Sequence, residues 1–471
     1  MSQAETQVTS IIIAETASAE KIRRGLVLAL ACAAQAMVGL DIAIVNVALP
    51  TIQRDLGVSQ SALQWIVVAY GLLLGGFVLL GGRMTDQLGR RRMFLTGLVV
   101  FTGASFLAGI ATGTAPLIVA RGIQGLGAAL IAPAALSLLA VTFAEGRERA
   151  GAMGIFGAVG GAAGSIGVVA GGLLAAGPGW RWAFFINVPA GVLFIALAIV
   201  CIAPDRINDR TTQLDIAGAT TVTTALLLFV YALHHAASHG WVSSSTLLLF
   251  AAAIVLLTAF VYIEARSAAP LVPASILKNR TLVTANITAF FANCALFSFI
   301  FIGSLLMQQG LGYSPTKTGL AWLATTVTVF PAAMIGAKFV TRLGVRCMLI
   351  GGLSLFTFGT LWLARVPADG RYVADVLPAF ILAGLGFGLC GPALQFGALS
   401  SVSQSDTGLA AGLVETMREI GGAAGVAAIS TVLVSGSGLD GFHAAFTVIG
   451  IISIATVAIV AAGFARQARV A

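Results

Sequence analysis

The sequence predicts an all-α membrane protein of fourteen spans, built as two six-helix bundles with two extra transmembrane helices between them. Three observations carry this: too few charges for a water-facing surface, fourteen long apolar runs, and a second half that echoes the first. Of 471 residues, 58% are hydrophobic and 9% charged, against about 45–50% and about 25% in a soluble domain. That excludes an ordinary soluble enzyme, a disordered chain and a nucleic-acid module. Fifty-six glycines suit close helix packing in lipid. The net charge of +8 fits basic cytoplasmic loops better than an anionic ligand.

A membrane-crossing helix needs about 20 apolar residues. Runs of that kind cover 25–49, 62–82, 93–112, 116–142, 151–176, 182–203, 215–235, 245–264, 282–308, 317–339, 347–364, 376–400, 407–433 and 441–464. They lack the period-two alternation of a membrane barrel and are too long for one. No small-residue cleavage site follows a short apolar core near the start, so a secretory signal is not expected. The five cysteines, Cys32, Cys201, Cys294, Cys347 and Cys390, read as small apolar fillers. No metal site is expected, because His234, His235 and His239 have no carboxylate or Cys beside them.

Orientation follows from the basic residues. With the N-terminus inside, nineteen Lys and Arg fall on the inner side, among them Lys21, Arg83, Arg90, Lys278, Lys338 and Arg342. Only Arg54, Arg181, Lys317, Arg365 and Arg371 fall outside. Both termini are therefore expected in the cytoplasm. All six Trp lie near outer span ends, as an interfacial belt requires.

Segment 81–93 aligns with 336–348, and the preceding loop 56–63 with 311–318. Further on, 123–134 aligns with 382–393 and 159–164 with 420–425. The expected organisation is a cytoplasmic tail (1–24), a six-helix bundle (25–203), a two-helix insert with linkers (204–280), a second six-helix bundle (281–465) and a short cytoplasmic tail (466–471). Parallel six-span halves describe an alternating-access secondary transporter rather than an enzyme. No Walker, HExxH or GxSxG motif is present, so neither ATP nor another cofactor is expected and a proton gradient would drive the cycle.

A residue required by the repeated fold should recur in both halves. Asp41, Arg121, Glu415, Arg418 and Glu419 are charges deep in apolar spans, and each occurs in one half only. A charge at the bilayer centre costs about 2.5–3.5 kcal/mol on insertion scales, so these five should pair and face a water-filled cavity. Asp41 lies about 12 Å from the outer end of its span and Arg121 roughly 8 Å from its own, one helical turn apart in height. Glu415 lies about 12 Å above an inner end, with Arg418 and Glu419 on its face at i+3 and i+4. A buried carboxylate beside an Arg suits proton coupling; a pair that merely pins helices together is the alternative. Phe290, Phe291, Phe297 and Phe301 could line an apolar cavity or pack against lipid.

The stretch GRMTDQLGRRRM resembles the signature loop of the major facilitator superfamily, matched by Gly82, Asp86, Gly89, Arg90 and Arg91. ARGIQGLGAA resembles its fourth-span motif and carries Arg121. LDIAIVNVALPTI and WRWAFFINVPAG are similar to segments of the fourteen-span drug:proton antiporter branch, the QacA and EmrB type. The resemblance implies the major facilitator fold, with Asp41 and Arg121 in coupling and the 82–92 loop as an inner gate. The fifth-span antiporter motif of that branch has a proline where this chain has Val168, while Gly167, Gly171 and Gly172 keep its close-packing glycines. Glu415 stands where the branch often has an amide.

The expected function is proton-coupled efflux of lipophilic or cationic drugs and antibiotics across a bacterial plasma membrane. The expected partners are a drug-like small molecule, protons and the bilayer, with no nucleic acid, and the chain is expected to work as a monomer. Proton-linked uptake, or export of a metabolite or lipid, remains open on the same fold, as does a non-transporting scaffold or sensor.

Overall fold

The computed structural model describes residues 3–464, apart from 58–59, 145, 178, 206–214, 268–269, 404–405 and 437. The side chains of 3–21 and of several other helical positions, Val168 and Gly172 among them, also lie outside the described residues. In chain order the helices are α1 (Gln3–Leu56), α2 (Gln60–Leu88), α3 (Arg90–Gly109), α4 (Thr114–Thr142) and α5 (Arg147–Ala176). The short α6 (Trp182–Phe185) leads into α7 (Asn187–Cys201), followed by α8 (Ile216–His239), α9 (Ser244–Arg266) and α10 (Ala274–Lys278). Then come α11 (Arg280–Leu305), α12 (Pro315–Leu363), α13 (Leu377–Leu399), α14 (Thr407–Ser435) and α15 (Gly438–Gly463). Widened π turns, Leu306–Gly310 and Tyr372–Val376, follow α11 and precede α13.

Among the described residues, eleven helical segments are long and apolar enough to cross a membrane, so this is a multi-pass membrane protein. Helix α8 carries a shorter apolar stretch, Ala217–Leu233. The runs expected at 317–339 and 347–364 fall in one helix, α12, which leaves helical geometry at Gly344 (φ 82, ψ 155). A positive φ of that kind is open to glycine and strained for other residues. Pro133, Pro331 and Pro392 sit inside α4, α12 and α13, where each lacks the N–H for a backbone hydrogen bond.

Helix α1 packs on α5, α4 packs on α2 and α3, and α3 packs on α7. Later in the chain, α12 packs on α13 and α15, and α11 on α14 and α15. The early and late groups meet along two seams, α2 against α14 and α5 against α12. Helix α8 lies on α9 and also touches both α2 and α14. Leu227 of α8 fills the space beside Gly76, where a side chain would collide with it. This hairpin is tied at one end by Arg83 Nη2, which donates to the Pro270 carbonyl at 3.0 Å. At the other end Trp241 Nε1 donates to Thr431 Oγ1 at 2.8 Å. Helix α9 exposes Leu248, Ile254, Val255 and Val261, a surface suited to lipid.

One sequence expectation needs correction here. Cys347 is exposed just beyond the α12 break, whereas the other four cysteines are buried. Phe297 and Phe301 are exposed, and Phe290 packs edge-on against Phe291 at 5.0 Å.

Candidate functional site

Glycines on α5 set the position of Asp41. Side chains at Gly167 or Gly171 would meet the α1 backbone at Leu40 and Ile44, so the bare helix faces bracket Asp41. Gly125 does the same for α4, since a side chain there would collide with the Tyr70 carbonyl of α2. That approach lays the Arg121 guanidinium over the Tyr70 ring at 4.2 Å, a cation–π contact in a dry interior.

Asp41 and Arg121 are 0% and 1% exposed and form an ion pair. Arg121 Nη1 donates to Asp41 Oδ2 at 2.6 Å and to Gln124 Oε1 at 2.9 Å, and its Nε donates to the Ile66 carbonyl at 3.1 Å. The other oxygen, Asp41 Oδ1, accepts from Gln124 Nε2 at 3.0 Å and from Asn187 Nδ2 at 2.8 Å. Gln124 Nε2 also donates to Ser105 Oγ at 2.7 Å. A carboxylate that accepts three hydrogen bonds, one from a guanidinium, is satisfied in its ionised form. Oδ1 thus has both lone pairs engaged, and Oδ2 keeps one free.

The second group sits on α14. Glu415 is buried, and Arg418 Nη1 donates to its Oε2 at 2.8 Å, as the i,i+3 spacing predicts. Glu419 makes no hydrogen bond or ion pair among the described residues; its Cβ lies opposite Gly75 of α2. The two groups do not touch. Tyr70 lies within electrostatic reach of Asp41, Arg121, Glu415 and Glu419, and its buried hydroxyl has no hydrogen-bond partner.

The signature loop sits at the α2–α14 seam. Asp86 caps the start of α14: Oδ1 accepts from Gly408 N at 2.8 Å and Oδ2 from Leu409 N at 2.7 Å. Both donors are backbone N–H groups of the later half of the chain. Exposed N–H groups and the helix dipole make such an end a natural partner for an anion. Gly82 faces the Gly408 carbonyl too closely for any side chain. Arg90 Nε donates to Ser137 Oγ at 2.9 Å, and Ser137 meets Thr407 at 3.0 Å. Arg91 turns the other way. Its Nη2 donates to the Ile199 carbonyl, and Asp205 accepts from the backbone N–H groups of Arg91 and Arg92. Gly89 (φ 102) permits that turn and leaves room for Asp205.

At the opposite end, Asp55 Oδ2 accepts from Trp180 Nε1 and Arg181 Nη1, both at 2.9 Å. The Trp180 hydrogen bond, then Arg181, hold the Asp55 carboxyl below its ordinary range.

Sequence reasoning missed Gln124, Asn187, Ser105 and Tyr70 around the Asp41 pair, and Ser137 and Thr407 at the seam. Two left a signal. Asn187 is the amide of the WRWAFFINVPAG segment, and Gln124 stands one helical turn from Arg121.

Comparison with known proteins adds the following. The model of the Major Facilitator Superfamily matches residues 31–426, and also 285–470. The chain is 36% identical to the puromycin resistance protein of Streptomyces alboniger, over 87% of this chain and 81% of that one. It is 35% identical to the cephamycin export protein of Amycolatopsis lactamdurans, over 88% and 85%. The solved human organic anion transporter MFSD10 superposes with a TM-score of 0.71 at 16% identity, covering 93% of this chain and 99% of that one.

Proposed function

The chain belongs to the major facilitator superfamily of transporters, and on that premise we propose that it exports lipophilic or cationic drugs and antibiotics from a bacterial cell in exchange for protons. The observation that carries the reading is the buried Asp41–Arg121 pair with its amide and hydroxyl partners. Five polar side chains from four helices converge there, and the repeated fold gives no reason for them, since Leu296 and Phe380 stand at the corresponding places in the second half. Several curated relatives are named for antibiotic resistance or export, which favours a drug-like substrate.

In the proposed cycle, α1–α7 and α11–α15 are two six-helix halves that rock about a central site. Fourteen spans result if α12 counts as two helices hinged at Gly344 and if α5 and α8 both cross. Both termini then lie in the cytoplasm of a plasma-membrane protein, by the distribution of Lys and Arg. Asp41 and Glu415 carry the proton or the substrate cation, Arg121 and Arg418 restrain them as ions, and Glu419 adds a further carboxyl group to the same face. Gly82, Asp86, Gly89, Arg90 and Arg91 form the inner gate, a reading supported by the cap that Asp86 of α2 places on the start of α14. Gly167 and Gly171 keep α5 against α1 and limit proton leak. The chain acts as a monomer, without a bound cofactor.

The test is accumulation of a fluorescent lipophilic cation in inside-out vesicles energised by an imposed pH gradient. Uptake that collapses with a protonophore supports export by antiport. Uptake only when the gradient is reversed would replace it with proton-linked import.

A further inference from the structure

The two seams differ. Helix α8 covers α2 and α14, whereas the α5–α12 seam opens into a groove of about 400 Å³. Gly151 and Ile155 of α5 line one wall, and Met334, Ile335, Ala337 and Lys338 of α12 line the other. Between these walls the two helices approach closely, because a side chain at Gly154 would collide with Ala337. Met334 and Ile335 are 42% and 50% exposed, an apolar wall without a protein cover.

Charge marks one end of this groove. Lys338 and Arg342 are exposed at i,i+4 on the same helix face. Lys338 lies six residues, roughly 9 Å, from the Gly344 break. Among the described residues, Lys338 lies over the neighbouring Phe339 ring at 5.8 Å, and Arg342 has no hydrogen bond or ion pair. The packed helices offer no counter-ion. Helices α12 and α13 contain no Asp or Glu at all, and the one acid of α5, Glu148, pairs with Arg24 at 3.6 Å. The acid of α15, Asp440, sits in its first turn, at the far end of the span.

We propose that this groove is a binding site for one anionic phospholipid of the inner leaflet. Its phosphate lies on Lys338 and Arg342, and an acyl chain lies along Ile155, Met334 and Ile335. Two cations at headgroup height above an apolar slot match a lipid with a charged head and a long tail. The lipid touches both halves at the seam. The leaflet assignment rests on the orientation proposed above; the binding site itself does not depend on transport.

Native mass spectrometry tests it, on protein released from nanodiscs that hold equal amounts of phosphatidylglycerol and phosphatidylethanolamine. The wild type should retain one phosphatidylglycerol in preference to phosphatidylethanolamine. Each lost cation should lower that retention about fivefold, so the double variant Lys338→Gln/Arg342→Gln should lose it about 25-fold. Ile155→Trp, which fills the groove and leaves both charges, should also displace the lipid. Lys278→Gln removes an exposed basic residue elsewhere on the same side and should change nothing. Equal retention of the two lipids by the wild type overturns the proposal. So does a Lys278→Gln loss as large as that of the double variant, or undiminished retention in Ile155→Trp, since either means general attraction to a basic surface.

Discussion

Replacing Asp41 with Asn removes one charge and almost no volume, so its effect isolates the polar network. Asp41 accepts three hydrogen bonds, one at Oδ2 and two at Oδ1. An amide has one oxygen, so its NH2 must face either Arg121 or the Gln124 and Asn187 donors. Gln124 cannot turn its own amide to help, because Nε2 also serves Ser105 and Oε1 accepts from Arg121. Arg121 is left buried with Gln124 and the Ile66 carbonyl as its acceptors. Removing one partner of a buried pair costs about 3–5 kcal/mol. That cost falls on this arrangement and not on one in which Arg121 is hydrated. The population should therefore move away from it by between about two and four powers of ten. Hydrogen–deuterium exchange reads the shift: peptides over 80–92 and 407–416, protected here by the α2–α14 seam, should exchange faster in Asp41→Asn. Arg121→Gln in the same chain should relieve part of the penalty, giving a double variant milder than the sum. Wild-type exchange in Asp41→Asn, with unchanged thermal unfolding, would refute the argument that this network sustains the arrangement.

Three further outcomes follow from the geometry. Asp86→Ala removes two charge-assisted hydrogen bonds worth about 1.5–3 kcal/mol each, so amides at the start of α14 should exchange faster, with Asp86→Asn intermediate because it keeps one acceptor; equal exchange in both variants would contradict the cap. Glu415→Gln keeps an acceptor for the partly exposed Arg418, so stability should fall by no more than about 1.5–3 kcal/mol, the worth of a hydrogen bond to a charged group, while substrate-driven proton release is lost; retained release would remove Glu415 from the coupling path. The folded pKa of Asp55 is depressed, so its contribution is present above the unfolded value and disappears as pH falls through the folded one, which places the change below about pH 4; Trp180 fluorescence should stay constant from neutral pH down to about 4 and change below it, and a midpoint near pH 6 would contradict the assignment.

The Asp41–Arg121 pair was legible in the sequence because charges are costly in lipid and two isolated ones of opposite sign lay at neighbouring depths. Its amide partners were not, because Gln124 and Asn187 belong to a residue type that also caps turns and faces water. The Asp86 contact was hidden for another reason: its partners are backbone N–H groups, which leave no trace in residue type. The placement of α8 across the α2–α14 seam was equally illegible. Lipid is as apolar as a helix interface, so an apolar pattern does not separate a buried face from a lipid-facing one. The helix break at Gly344 was visible only as a gap between two apolar runs, and the positive φ there explains why that gap needs no long loop.

The most direct measurement is lumenal pH in proteoliposomes that hold an imposed proton gradient, on addition of lipophilic cations and antibiotics. Proton-coupled export through this site predicts substrate-triggered proton movement in the wild type and none in Asp41→Asn. Proton movement of wild-type size in Asp41→Asn, or none in wild-type protein that binds one of the compounds, would contradict proton-coupled export through the Asp41–Arg121 site.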